Sequence, residues 1–89
     1  MNYSKHNYQV KFFKMMSNSN RLKVLKLLAA NKEPINVTEI AEAVNIEITT
    51  LSNHLFKMRE IGLVKAKQSG LNMFYSVKDP AVSKILGCF

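Results

Sequence analysis

A turn signal at Asn45 constrains this chain more than any other feature, because apolar residues recur at helical spacing on both sides of it. Before it, Ile40, Ala41 and Val44 mark one face of a short helix. After it, Ile48, Leu51, Leu55, Met58 and Ile61 mark one face of a longer helix running from about Ile48 to Ile61. Asn adopts the left-handed backbone conformation more readily than any residue except Gly, so Asn45 predicts a helix terminus and a tight turn. The second helix is then amphipathic. Its apolar side faces inward, and its other side carries Thr49, Thr50, Ser52, Asn53, His54, Lys57 and Arg59, a polar and basic surface rich in hydrogen-bond donors.

The flanking segments complete a pattern. Tyr8, Phe12, Met15 and Met16 fall on one helical face between Ser4 and about Met16, with Ser4 as a candidate N-cap. The polar run from Ser17 to Asn20 interrupts that helix, and Leu22, Leu25, Leu28 and Ala29, widened by Val24 and Leu27, predict a second, largely buried one ending near Asn31. Pro34 ends helical continuation, and Asn36-Val37-Thr38-Glu39 offers a capping-box start in which Asn36 accepts from a first-turn amide and Glu39 reaches back. Gly62 ends the helix after Asn45. Residues 63–77 then read as a strand, a Gly-containing loop over Gln68–Asn72 and a second strand, with one of Phe74 and Tyr75 facing inward. Asp79-Pro80 opens a last helix with Val82, Ile85, Leu86 and Phe89 on one face. The expected fold is mainly α with a small β-hairpin: a winged helix-turn-helix in the order α-α-α-α-β-β-α, dimeric, with residues 1–89 forming a single domain.

The chain has 89 residues, and a domain this small buries only a little over ~60% of its unfolded surface, so a partner surface would add to its core. No apolar run approaches the ~18 residues of a membrane span, and residues 1–7 lack a signal-peptide core, which leads to the expectation of a cytoplasmic protein. Thirteen Lys and Arg against six Asp and Glu leave a formal charge of +7, which calls for a polyanionic partner. The charge is unevenly placed. Residues 1–32 carry bases and no acid, residues 33–47 carry Glu33, Glu39, Glu42 and Glu47 and no base, and the basic excess returns afterwards. Four carboxylates would oppose a polyanion laid on the middle segment, so residues 48–78 are the expected contact.

A helix with a polar outer face followed by a basic hairpin has the layout of a recognition helix and its wing. Thr, Ser, Asn and His side chains hydrogen-bond base edges in the major groove of DNA, which points to Thr49, Thr50, Ser52, Asn53 and His54. Lys57, Arg59, Lys65 and Lys67 are suited to phosphates, whose contacts position a protein without reading sequence. The expected partner is a double-stranded DNA operator. The competing reading is a winged helix used for protein or RNA contact, since fold alone does not decide function; RNA would favour a stacked aromatic surface, and the recognition helix offers only Phe56.

Taken together, Met16-Ser17-Asn18 through Arg21-Leu22-Lys23-Val24-Leu25, Asn36-Val37-Thr38-Glu39-Ile40-Ala41, Leu51-Ser52-Asn53-His54-Leu55 through Arg59-Glu60-Ile61-Gly62-Leu63-Val64, and Phe74-Tyr75-Ser76-Val77 resemble the arsenical-repressor-type (ArsR/SmtB) winged-helix regulators over nearly the whole chain. The resemblance implies a homodimer built from the first and last helices, recognition of an inverted repeat and repression relieved by an effector. It carries the family's DNA contacts to Thr49, Thr50, Ser52 and His54. The apolar residues Tyr8, Phe12, Met15, Val82, Ile85 and Phe89 would then form the dimer interface. The departures concern effectors and the wing. Asn36 and Thr38 stand where well-known metal sensors of the family have cysteines. Of a second family metal site only Asp79 is present. Lys26 stands where redox sensors have the partner of a cysteine such as Cys88. Leu71 replaces the arginine many relatives carry in the wing, leaving Lys67 and Asn72 as substitutes.

No cofactor is expected, and no metal site: Cys88 is the only cysteine, and no second titratable ligand lies at helical spacing from His54. His6 reads as a solvated residue, and Met15 and Met16 as packing. There is no nucleophile-base-acid arrangement and no phosphate-cradling glycine loop, so an enzyme is not expected.

Overall fold

The computed structural model describes residues 17–78, together with Val10 and Lys14, and places α1 at Ser19–Ala30, β1 at Ile35–Asn36, α2 at Val37–Val44, α3 at Ile48–Glu60, β2 at Val64–Ser69 and β3 at Asn72–Val77. Local capping marks the starts of α1 and α2 and the ends of α2 and α3. The polar run before α1 is its cap: Asn18 Oδ1 accepts from the amides of Asn20 and Arg21 at 3.0 and 3.2 Å. At the other end Asn31 Nδ2 donates to the Leu27 carbonyl at 2.7 Å. Asn36 Oδ1 accepts from the Thr38 amide at 2.8 Å, while the reciprocal bond expected from Glu39 is not formed.

Two tight turns position α3. Asn45 is left-handed (φ 55°, ψ 51°), and its amide and that of Ile46 both donate to the Ala41 carbonyl, so α2 ends within one residue. Gly62, at φ 79°, ends α3 in a Schellman motif in which Leu63 N–H reaches the Met58 carbonyl (2.9 Å) and Gly62 N–H the Arg59 carbonyl (3.1 Å).

The core gathers Val24, Leu25 and Leu28 of α1, Ile40 of α2, Leu51, Leu55 and Met58 of α3, and Leu63 and Val64 at the entry to the wing. Each such side chain contributes roughly 1.5–3 kcal/mol when taken fully out of water. Ile48 departs from expectation: it is 46% exposed rather than part of the inner face. It occupies the first position of α3, at the end of the helix, and buried contact begins one turn later at Leu51. Ile61 packs against the core from the C-cap position.

The wing differs from a plain hairpin in two ways. First, the expected five-residue loop is a two-residue turn. Gly70 takes φ 62° at its first central position, as in a type II′ turn, and pairing therefore extends to Ser69 opposite Asn72. Second, β1 adds a third strand to give the antiparallel order β1-β3-β2, with Ile35 opposite Tyr75 and Asn36 opposite Phe74. Val64, Ala66, Tyr75, Val77 and Ile35 share the core face of this sheet, and of the two aromatic residues it is Tyr75 that packs on the core. Lys65, Lys67, Phe74 and Ser76 share the opposite face.

The expected helix before α1 is represented by Val10 and Lys14, both helical, and Ser17 Oγ donates to the Lys14 carbonyl at 2.7 Å. The remainder of that helix, the closing helix after Asp79, and the interface residues Tyr8, Phe12, Met15, Val82, Ile85 and Phe89 lie outside the described residues. Among the described helices none is long and apolar enough to cross a membrane.

Candidate nucleic-acid interface

With Leu51, Leu55 and Met58 fully buried, the opposite side of α3 is determined by helical phase. Thr49, Ser52, Asn53, Phe56 and Glu60 stand at i, i+3, i+4, i+7 and i+11 and form one exposed stripe along it. Thr50 and Lys57 flank the stripe, and Lys57 and Arg59 put positive charge in the last turn, where it also complements the helix dipole. No side chain caps the start of α3, since Glu47 occupies the N-cap without making a capping hydrogen bond. First-turn amides left in this way are suited to an anion.

The wing lysines are exposed but differently placed. Lys67 projects from the middle of β2 opposite Phe74. Lys65 stands nearer the base, where with Lys32, Lys78, Leu28, Pro34 and Ser76 it lines an open cleft beside the end of α1. Asn72 starts β3, and Leu71, at the tip, is 99% exposed.

His54 differs from its neighbours. It is half-buried at the edge of the stripe, and its Nδ1 accepts a hydrogen bond from Arg21 Nε at 3.1 Å. Burial lowers its pKa below the ordinary value near 6.5, and the charges of Arg21 and Lys57 lower it further. A neutral ring that accepts at Nδ1 carries its proton on Nε2, so His54 offers one donor, Nε2–H. Arg21 escaped sequence reasoning as a site residue: nothing local marks it, and its partner is 33 positions away. Phe56 was visible as a residue but not as the exposed centre of the stripe, at 61%.

The acids sit elsewhere. Glu33, Glu39, Glu42 and Glu47 are all exposed along β1, α2 and the turn before α3, and Glu60 alone shares the stripe. Among the described residues no three His, Cys, Asp or Glu side chains gather where a metal ion could be held.

Residues 18–66, from the cap of α1 into the wing, match the family model described as bacterial regulatory protein, arsR family. The transcriptional repressor PagR of Bacillus anthracis is 36% identical over 82% of this chain and 72% of its own length. Its crystal structure superposes with a TM-score of 0.82 at 31% identity, covering 97% of each chain. The cadmium resistance transcriptional regulatory protein CadC of Listeria innocua is 28% identical over 84% of this chain, which spans only 62% of that protein's length. A homodimeric winged helix-turn-helix DNA-binding domain, Mb0332 of Mycobacterium bovis, superposes with a TM-score of 0.85 at 27% identity over 96% of this chain and 77% of that one. The match to the family model over more than half the chain, together with the repressor's identity, places this protein in the arsR family of bacterial regulatory proteins, with the winged helix-turn-helix fold.

Proposed function

We propose that the protein is a DNA-binding transcription regulator, a repressor that binds an inverted-repeat operator as a homodimer. One observation carries this reading: the outer stripe of α3 presents Thr49, Ser52 and Asn53 to solvent beside Lys57 and Arg59, so base-reading and phosphate-holding chemistry lie on one helix face. Thr50 and the Nε2–H of His54, one turn apart, extend the reading surface along the same flank of the stripe. Lys57, Arg59, Lys65 and Lys67 hold phosphates, and Asn72 with Lys67 does in the minor groove what an arginine does in other wings. The repressor PagR and the homodimeric Mb0332 domain support repression and dimerisation. The dimer is built from Tyr8, Phe12, Met15, Val82, Ile85 and Phe89, and no metal or other cofactor takes part in DNA binding.

Selection of bound sequences from random duplex DNA tests the proposal. The expected product is an inverted repeat with half-sites about one helical turn, ~34–36 Å, or a multiple apart. Recovery of no enriched duplex at low salt would refute it.

A further inference from the structure

Phe56 is unexplained by the fold. The inner face of α3 is complete without it, Leu51, Leu55 and Met58 each being fully buried, and Phe56 neither joins the core cluster nor packs on its margin. It is 61% exposed in the middle of a stripe whose other members are Thr49, Ser52, Asn53 and Glu60. A large apolar side chain kept in water at this place gains from any partner that covers it.

We propose that Phe56 recognises the 5-methyl group of thymine in the operator half-site; the inference rests on the DNA-binding function above. The thymine methyl is the apolar feature of the major-groove edge, the other groups there being hydrogen-bond donors and acceptors. The stripe around Phe56 is built to match such an edge. Hydroxyl and amide groups precede it by three, four and seven residues, and a lysine follows it directly. One turn further on the same stripe comes Glu60, a carboxylate that phosphates would repel, so Phe56 is the last reading position before the groove contact ends. A single-stranded nucleic acid is a poorer fit, because stacking platforms use successive aromatics and this stripe has one. A protein partner is a poorer fit as well: along α3 the one other exposed large apolar side chain is Ile48, at the far end and off the stripe, and every other member of the stripe is polar.

The test replaces thymine by deoxyuridine, position by position, in the selected repeat, and measures binding of the parent, Phe56→Ala and Phe56→Leu. Removing one methyl from the contact should weaken the parent about fourfold at one thymine per half-site. Phe56→Ala should bind thymine and deoxyuridine operators equally and select no thymine there, while Phe56→Leu keeps part of the discrimination. Because the base change leaves the protein untouched, the parent's response does not depend on how the variants fold. Deoxyuridine tolerated at every position, or a penalty that persists in Phe56→Ala, would overturn the assignment while leaving DNA binding intact. A parent that enriches no duplex, or prefers single-stranded RNA, would overturn the function and the assignment together.

Discussion

Arg21 on α1 and His54 on α3 are joined by a single hydrogen bond, Arg21 Nε donating to His54 Nδ1 at 3.1 Å. The bond holds the ring neutral with its proton on Nε2, and it ties the flank of α3 to the helix beneath it. Protonation at Nδ1 would remove the only lone pair Arg21 can use and set two cations against each other.

This geometry makes stability fall on mild acidification. Burial, then Arg21 and Lys57, lower the pKa of His54 in the folded chain below the 6.5 of the unfolded one. The unfolded state therefore binds the proton first, and the contribution of the neutral ring, complete above pH 6.5, is lost as pH falls through the lowered value. Urea unfolding at pH 7.5 and at pH 5.5 should show a larger difference for the parent than for His54→Gln. An identical difference in the two proteins would mean that His54 is not the group responsible.

The residues proposed to read bases and those proposed to hold phosphates should separate on mutation. Ser52→Ala and Asn53→Ala should each cost about 1–3 kcal/mol on the preferred operator and relax selectivity. Lys57→Ala and Lys67→Ala should weaken all duplexes alike and flatten the dependence of log K on log salt by about 0.9 for each lost phosphate contact. Binding titrations over a salt series on matched and mismatched duplexes distinguish the two classes, and equal loss on both duplexes for Ser52→Ala would move that residue to the phosphate group.

Gly62→Ala isolates a backbone effect. A Cβ at Gly62 would meet nothing within 4 Å, so no clash contributes, but φ 79° is unfavourable for any residue with a side chain. Destabilisation of about 1–2 kcal/mol is expected from the conformation alone. Asn45→Gly, at the other left-handed position, should leave stability nearly unchanged, and chemical denaturation of both variants checks the contrast.

The proposed dimer has its own test. Ile85→Glu places a charge in an interface of apolar side chains, where an unpaired charge is costly. Sedimentation should show monomers, and operator affinity should fall with them, because each half-site then binds alone. A variant that remains dimeric would put the interface on other residues.

The sequence by itself determined what depends on neighbours along the chain. The apolar faces of α1, α2 and α3 follow from helical spacing. The ends of α2 and α3 follow from the tolerance of Asn45 and Gly62 for positive φ, and the start of α2 from the Asn36 cap. The outer stripe of α3 follows from its inner face, since helical phase fixes one once the other is buried. Tertiary structure alone decided the rest. Asn36 joins a third strand because Phe74 is opposite it, and two residues are too few to show a strand period. Ile48 has the phase of the inner face yet is left in water, because phase specifies direction and not whether a neighbour is present. His54 keeps only its Nε2–H for the polar surface because Arg21, distant in sequence and adjacent in space, takes its Nδ1. Such contacts depend on how helices cross and on which rotamers the packed core permits, and neither is written in local order.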